Sequence, residues 1–364
     1  MLNTEQKILQ HIKMNPYISQ QEIARNVGLS CSAVAGYIAD LIKQGKIKGH
    51  AYIIEESSPI VCIGGANIDR KAQAKQKIDL YSSNPVTFSE FSGGVARNVA
   101  ENLSKLNVKN TIMTCVGNDK DGDWLLERMK DSGIDVSQVL RIPNERTGTY
   151  TAILDIDGEM IISTADMDIY DKMTPSMFED KWSVLSNSRA VFVDTNVPTE
   201  SIHYIIDRCH SENLPLYIDP VSISKAKKLP DRLDGVELIF PNKEEAEWLA
   251  NMTIDSVKDC DLACQRIRQR GAKKVVVTLG DAGAYYAEEG NSGHLASIKT
   301  DVVDVTGAGD AFTAGVIYAL SESQPFTRAA KMGQAAATLT LQNSTTVSPL
   351  LSDQKINELI KEIS

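Results

Sequence analysis

The sequence predicts an α/β protein whose mostly parallel central sheet is flanked by helices, preceded by a small helical module. Three observations predict it. Short apolar runs alternate with helical stretches from about residue 58 onward. Glycine-bearing turns follow several of those runs, where ligands bind in open parallel sheets. The charge is also divided. Residues 1–50 carry six Lys or Arg against three Asp or Glu, a net +3, and the rest of the chain sums to −13 within the overall −10. A basic head on an acidic body predicts two modules with different partners.

The composition excludes several classes. With 42% hydrophobic and 24% charged residues among 364, the chain can bury a core and is not compositionally disordered. No run approaches the roughly 20 apolar residues that span a bilayer, and the start, MLNTEQKILQ, lacks the basic and then apolar pattern of a secretory leader. A cytoplasmic protein with no membrane partner is expected. Cys31, Cys62, Cys115, Cys209, Cys260 and Cys264 show no zinc-type pairing, because Cys260 and Cys264 have no second pair to complete a tetrahedron. They read as free thiols.

In the head, Ile8, Leu9, Ile12 and Met14 follow Thr4 at helical spacing, with Thr4 as the expected cap and Pro16 as the end. Ser19 opens a second helix that runs through Val27, and Gly28 turns the chain. Ser30 starts a third helix carrying Val34, Ile38, Leu41 and Ile42, closed by Gly45. Lys46–Ile54 alternates as a small basic β-ribbon. This pattern, residues 1–55, resembles a winged helix-turn-helix, in which the third helix enters the major groove and the wing touches phosphate. Duplex DNA is the partner this implies, bound by a homodimer so that two half-sites compensate for few basic groups. The third helix offers Ser30, Ser32 and Tyr37 but few long cations, so a docking module is the alternative.

In the body, residues 58–364, strands are expected at Ile60–Gly64, Thr111–Val116, Ala190–Asp194, Leu216–Asp219, Leu238–Phe240 and Lys274–Leu279. Helices are expected at Ala96–Leu106, Gly122–Ser132, Thr199–Glu212, Lys243–Asn251, Asp259–Arg270 and Asp310–Ser321. Residues 71–91 and 147–167 alternate polar with apolar and read as antiparallel strands forming a small cover, or lid.

Four turns carry candidate chemistry. Gly64-Gly65-Ala66-Asn67-Ile68-Asp69 reads as a loop after the first strand, where Asp69 can accept from vicinal sugar hydroxyls. Gly93-Gly94-Val95-Ala96-Arg97-Asn98 enters a helix, exposing NH groups and the Asn98 amide to a polar ligand. Asn242-Lys243-Glu244-Glu245 is a capping box that can also hold waters on Mg²⁺. In Asp304-Val305-Thr306-Gly307-Ala308-Gly309-Asp310 the NH groups of Gly307, Ala308 and Gly309 can cradle a phosphoryl group, and Asp310 can take a proton from an attacking hydroxyl. It is not a P-loop, which needs Gly-Lys-Ser/Thr. Each turn alone also has a plain structural explanation. Together, in order, beyond the strands of one sheet, they favour a common site.

These residues, with Val116-Gly117-Asn118-Asp119, resemble the ribokinase-like (PfkB) kinases over residues 58–364. The resemblance implies a ribokinase-like fold with a small β lid, and ATP-dependent phosphorylation of a primary alcohol on a sugar or nucleoside. It implies Asp310 as base and Gly307–Gly309 as anion hole. Asp69 and Asn98 with Gly93-Gly94 would hold ribose hydroxyls, and Asn67 belongs to the same Asn-x-Asp element. Asn242 and Glu245 would act through Mg²⁺. Thr278 and Gly280 would meet nucleotide, with Asn343 near adenine. Asp304 and Thr306, with backbone from about 337 to 348, would hold a monovalent cation, K⁺. Asp157–Met160, Asp166–Ile169, Asp194-Thr195-Asn196 and Ile218-Asp219-Pro220-Val221-Ser222 add a closer resemblance to bacterial pseudouridine kinases. That implies pseudouridine as substrate, with Thr149, Tyr150 or Asn196 contacting the base. Another nucleoside or ribose kinase is the alternative enzyme. A DNA-binding regulator that merely senses a nucleoside is the alternative class, and such a sensor has no need of Asp310, Asn242 and Glu245.

Overall fold

The computed structural model describes residues 4–15, 18–43, 46–47 and 58–362. The chain divides into two compact units, 1–57 and 58–364.

The first unit holds three helices, α1 (Thr4–Met14), α2 (Gln20–Val27) and α3 (Cys31–Lys43). Ser19 and Glu22 form a reciprocal capping box at α2, and Gly28 ends that helix at φ 72°. Ile8, Ile23, Val34, Ile38 and Leu41 close a small core between the helices. Thr4 is the first residue of α1 rather than its cap. Ser30 does cap α3, its hydroxyl accepting from the Ala33 amide at 3.2 Å. The ribbon expected at Lys46–Ile54 lies, from Lys48 onward, outside the described residues.

The second unit contains fourteen strands among the described residues. They are β1 (Ile60–Ile63), β2 (Asn67–Ala74), β3 (Val86–Gly93), β4 (Asn110–Met113), β5 (Cys115–Gly117), β6 (Leu140–Ile142), β7 (Thr149–Leu154), β8 (Met160–Asp166), β9 (Ala190–Asp194), β10 (Leu216–Asp219), β11 (Val236–Ile239), β12 (Lys274–Thr278), β13 (Ala284–Glu288) and β14 (Asn291–Leu295). The helices are α4 (Val95–Lys105), α5 (Lys120–Asp131), α6 (Pro175–Asp180), α7 (Trp182–Ser186), α8 (Thr199–Glu212), α9 (Ile223–Ala226), α10 (Lys243–Ala250), α11 (Val257–Gln269), α12 (Ala308–Ser321), α13 (Phe326–Leu341) and α14 (Asp353–Glu362).

The main sheet runs β14-β13-β12-β11-β10-β9-β1-β4, parallel from β12 to β4 and antiparallel at β13 and β14. Its central strands are buried on both faces, so successive residues enter opposite cores. Ile60 and Cys62 pack with α4, α12 and α13. Val61 and Ile63 pack with α8, α10 and α11. A second sheet, β3-β2-β7-β8, stands apart from the main one. Its outer pairs are antiparallel, but β2 and β7 pair in parallel.

Several elements differ from expectation. Asn67, Ile68 and Asp69 belong to β2 and not to a loop, because they pair with Gly93, Ser92 and Phe91. The strand expected at Thr111–Val116 breaks at Thr114 into β4 and β5. The β13–β14 hairpin and helices α13 and α14 have no counterpart among the expected elements. α13 is Ala-rich and buried around much of its circumference, so it lacks a polar face to mark the helical repeat.

Candidate active site

The second sheet brings one carboxylate to the end of the main sheet. Asn67, Asp69 and Lys71 alternate onto one face of β2. The Asn67 amide donates to Asp69 Oδ1 at 2.7 Å. A Cβ at Gly93 would overlap the Asp69 carboxylate, so only glycine allows this approach. Burial raises the Asp69 pKa, while Asn67, Arg97 and Lys71 favour its charge. The register puts Tyr150 on the Asp69 rung and Thr149 on the Ile68 rung. Thr149 therefore faces the opposite side of the sheet, in a cavity of about 360 Å³ with Arg70, Asp119 and Arg146.

Helix α4 begins where β3 ends. Gly94, at φ 100°, is its N-cap and packs against the Gly65 carbonyl with no room for a side chain. One turn in, the Asn98 amide nitrogen donates to Asp310 Oδ2 at 2.6 Å, while Asn98 Oδ1 accepts from Arg97. The amide thus directs one of its two N–H donors at Asp310. Burial pushes the Asp310 carboxyl up to about 7; Asn98 and Arg97 oppose the rise, and Asp194 and Asp69 add to it. An acid poised near neutrality can accept a proton and release it again.

Asp310 lies in the first turn of α12, whose N-cap is Gly307 at φ 82°. The Thr346 carbonyl lies where a Gly307 Cβ would stand. At the start of α12 the Ala308 NH donates to the Val305 carbonyl at 3.4 Å, while those of Gly309 and Asp310 have no acceptor one turn earlier within the helix, and a Cβ at Gly309 would meet open space. Asp304 Oδ1 accepts from the Thr306 amide at 2.8 Å and hydroxyl at 2.7 Å, shaping the approach to Gly307. Asp304 Oδ2 is 3.5 Å from Lys71 Nζ of the second sheet. Burial raises the Asp304 pKa, but Thr306 and Lys71 outweigh it and hold the carboxyl low. The position expected for a monovalent cation therefore already has an ammonium beside it.

Asn242 caps α10 in a reciprocal box with Glu245, whose carboxylate takes the Asn242 backbone NH at 3.0 Å and the amide at 2.8 Å. Burial raises the Glu245 pKa. Asp219, at the end of β10, is raised well above the ordinary value by burial and then by Asp310 and Glu245 as like charges. Acids crowded this way fit a nearby cation. Among the described residues no three His, Cys, Asp or Glu side chains converge as direct ligands. Asn242, Glu245 and Asp219 would suit Mg²⁺, a hard cation that keeps much of its own water. Thr278 ends β12 and bridges to Asn242. Gly280, at φ 59°, follows in an exposed turn. The Asn343 amide is spent on the Leu339 carbonyl at 2.8 Å and Ser348 Oγ at 3.1 Å.

Three residues of this region went unassigned in the sequence. Asp194, fully buried at the end of β9, accepts from the Gly65 and Ala96 amides at 2.9 Å each and from the Asn196 amide at 2.8 Å. It ties the Gly64-Gly65 turn to α4. Tyr170 clasps Ala66, accepting from its NH at 2.9 Å and donating to its carbonyl at 2.7 Å. Lys225 of α9 donates to Asn196 Oδ1 at 2.5 Å. An acid ending a wholly apolar strand was the available signal for Asp194 and Asp219.

A buried acid near neutral pKa at the head of a helix, with open backbone NH groups beside it, is an arrangement that can take a proton from an alcohol while a charged group is transferred to it. The chain belongs to the pfkB family of carbohydrate kinases, whose description matches residues 57–353. Residues 1–48 match the winged helix-turn-helix DNA-binding family. The chain is 32% identical to the pseudouridine kinase of Escherichia coli (strain K12), covering 85% of this chain and 98% of that one. It is 30% identical to the uncharacterized sugar kinase YeiI of the same strain, covering 99% of each. The solved carbohydrate kinase from Agrobacterium tumefaciens superimposes with a TM-score of 0.75 at 29% identity, over 84% of this chain and 97% of that one.

Proposed function

We propose that the second unit transfers the γ-phosphoryl group of ATP to the 5′-hydroxyl of a nucleoside, converting pseudouridine to pseudouridine 5′-phosphate in the cytoplasm. The observation that carries the chemistry is the Asn98–Asp310 contact at the mouth of α12. The similarity to a pseudouridine kinase over nearly its whole length supports the substrate. Asp69, with Asn67 and the Gly93-Gly94 turn, receives the ribose hydroxyls. Tyr150 and Asn196 take the base contacts, a role that Thr149 leaves open by facing away. Asp310 removes the hydroxyl proton as the oxygen bonds to phosphorus and the bond to the bridging oxygen of ADP breaks. The NH groups at Gly307–Gly309 and the α12 dipole meet the charge on the transferring group. Asn242 and Glu245 would hold Mg²⁺ through its water, and the ion would supply neutralisation of phosphate charge. Thr278 and Gly280 flank the nucleotide, and Asn343 shapes its adenine side through Ser348.

A coupled assay of ADP release over pseudouridine, uridine, adenosine, inosine and ribose tests this. Pseudouridine should give the highest kcat/KM. A preference for another nucleoside or for ribose would replace the substrate and keep the chemistry. No turnover with any of them would refute the kinase reading.

The head favours a second, additional reading as a DNA-binding module, supported by its family match and its +3 charge. A homodimer fits both units. On the lid sheet Phe88, Ile153 and Ile162 form an exposed apolar rung beside the open edge of β8, a surface a second copy can cover.

A further inference from the structure

Arg97 is the largest fully buried side chain, 1% exposed, yet it carries a charge. A buried guanidinium is costly unless its donors are matched. Here they are matched across three segments. Nε donates to the Gly93 carbonyl at 3.3 Å, and Nη2 reaches the Ser92 carbonyl, Asn98 Oδ1 and, at 3.2 Å, Thr346 Oγ1. Nη1 pairs with Glu101 one turn along α4. Ser92 and Gly93 are the end of lid strand β3, Asn98 contacts the base, and Thr346 backs Gly307.

The consequence for Asn98 follows from donor counting. Guanidinium has no acceptor, so Asn98 must turn its oxygen toward Arg97. That leaves the amide nitrogen, a donor only, facing the Asp310 carboxylate. Without Arg97 the amide is free to flip and bring an oxygen against an oxygen.

We propose that Arg97 is a positioning residue that orients the Asn98 amide toward Asp310 and ties the end of the lid strand to the loop behind the anion hole. The inference rests on the reading of Asp310 as base. The groups facing Asp310 are Arg97 and Asn98 from α4, Asp69 from β2, Asp194 from β9 and Asp219 from β10. Those facing Arg97 include Glu101 on its own helix and Arg128 from α5. Loss of Arg97 removes the cation that favours the charged forms of Asp310 and Asp69 and releases the Asn98 amide that donates to Asp310.

The test uses the full chain with Arg97→Met, Arg97→Lys, Asn98→Ala and the Arg97→Met/Asn98→Ala pair. Two measurements are made. One is the pH profile of kcat and KM. The other is a carboxyl carbon NMR titration of Asp310 in the free protein, assigned by its loss in Asp310→Asn. Arg97→Met should move the acid limb of kcat and the Asp310 titration upward by about one pH unit or more, within the range for losing an adjacent opposite charge. KM should change by less than about threefold, because no substrate contact is lost. Arg97→Lys, which keeps the charge but cannot span the acceptors, should recover part of the shift. In the Asn98→Ala background Arg97→Met should add less than it does alone, since part of its effect passes through that amide. Lowered thermal stability with both midpoints unmoved would overturn the proposal and leave Arg97 a purely structural residue. If Arg97→Met does not fold, Arg97→Lys and Asn98→Ala still decide it, because unshifted midpoints in both exclude the coupling. Absence of phosphotransfer in the unaltered protein would sink the kinase reading, while the NMR titration would still report the Arg97–Asn98–Asp310 linkage.

Discussion

Asp310, the proton acceptor of the proposed reaction, is also a source of instability, and the two follow from one environment. Its carboxyl is pushed from the ordinary 3.8 up to about 7, chiefly by burial. The base works when ionised, so kcat should rise with pH and level off above about 7; a flat profile between pH 5.5 and 8.5 would contradict this. For stability the sign is opposite. Below about pH 4 the group is protonated in both folded and unfolded chains. Between there and about pH 7 the unfolded chain releases its proton while the folded one holds it, so stability falls as pH rises. Asp310→Asn should therefore lower turnover by about 10²–10⁴ and raise Tm above about pH 7, with the Tm gain vanishing near pH 4. Turnover within a few-fold of the parent would remove Asp310 from the role. Asp69→Ala loses a charged acceptor worth roughly 1.5–3 kcal/mol, so KM for the ribose-bearing substrate should rise about 10- to 150-fold. An unchanged KM would exclude the sugar-hydroxyl role. The sequence showed these two acids because each stands in a glycine-marked motif. It assigned no role to Asp194 or Tyr170: the Gly65 and Ala96 amides that Asp194 holds lie 129 and 98 residues away, and Ala66 lies 104 residues from Tyr170.

Elements were legible where one face is wet. The helices that cover the sheet, such as α8 with Ile202, Ile205, Ile206 and Cys209 buried, keep a polar face and so a readable period. α13 buries residues all round and was silent. The lid showed its alternation but not its pairing, because the β2–β7 register depends on a contact between segments about 80 residues apart. That register puts Tyr150 on the Asp69 rung and Thr149 on the opposite face. Strand β2 of the lid also brings Lys71 to Asp304, ahead of the start of α12. An ammonium and K⁺ beside one carboxylate should compete. Lys71→Met should then increase the stimulation of kcat by K⁺ and the Tm gain on adding KCl, compared with choline chloride at equal ionic strength. Equal K⁺ responses in the two proteins would show that Lys71 and the cation do not share the site. Both residues are partly exposed, so the ion pair itself contributes little to stability.

On the scale of the whole chain, charge and connectivity separate the two units. Every side chain of the proposed catalytic set lies between Asn67 and Thr346, within the unit 58–364. The first unit has its own core of Ile8, Ile23, Val34, Ile38 and Leu41 and its own caps, so it does not need the kinase fold to close its helices. Its three helices were legible because Ser19, Gly28 and Ser30 mark the boundaries chemically; the wing expected beyond Lys48 falls outside the described residues. Deleting residues 1–57 should leave kcat and KM within about twofold. The full-length protein should bind duplex DNA, and the truncated body, with a charge of −11 over residues 58–364, should not. Few cations on the head mean few phosphate contacts per copy, so binding should need a dimer and weaken steeply with salt, by roughly 0.9 in log affinity per log salt for each phosphate contacted. Gel shifts on DNA upstream of the protein's own gene, run from low to physiological salt with light scattering in parallel, measure both. A dimer that binds at low salt and releases at higher salt supports the module as a DNA reader. No binding at any salt, with conversion of the dimer to a monomer when residues 1–57 are removed, would instead make the head a docking element between subunits.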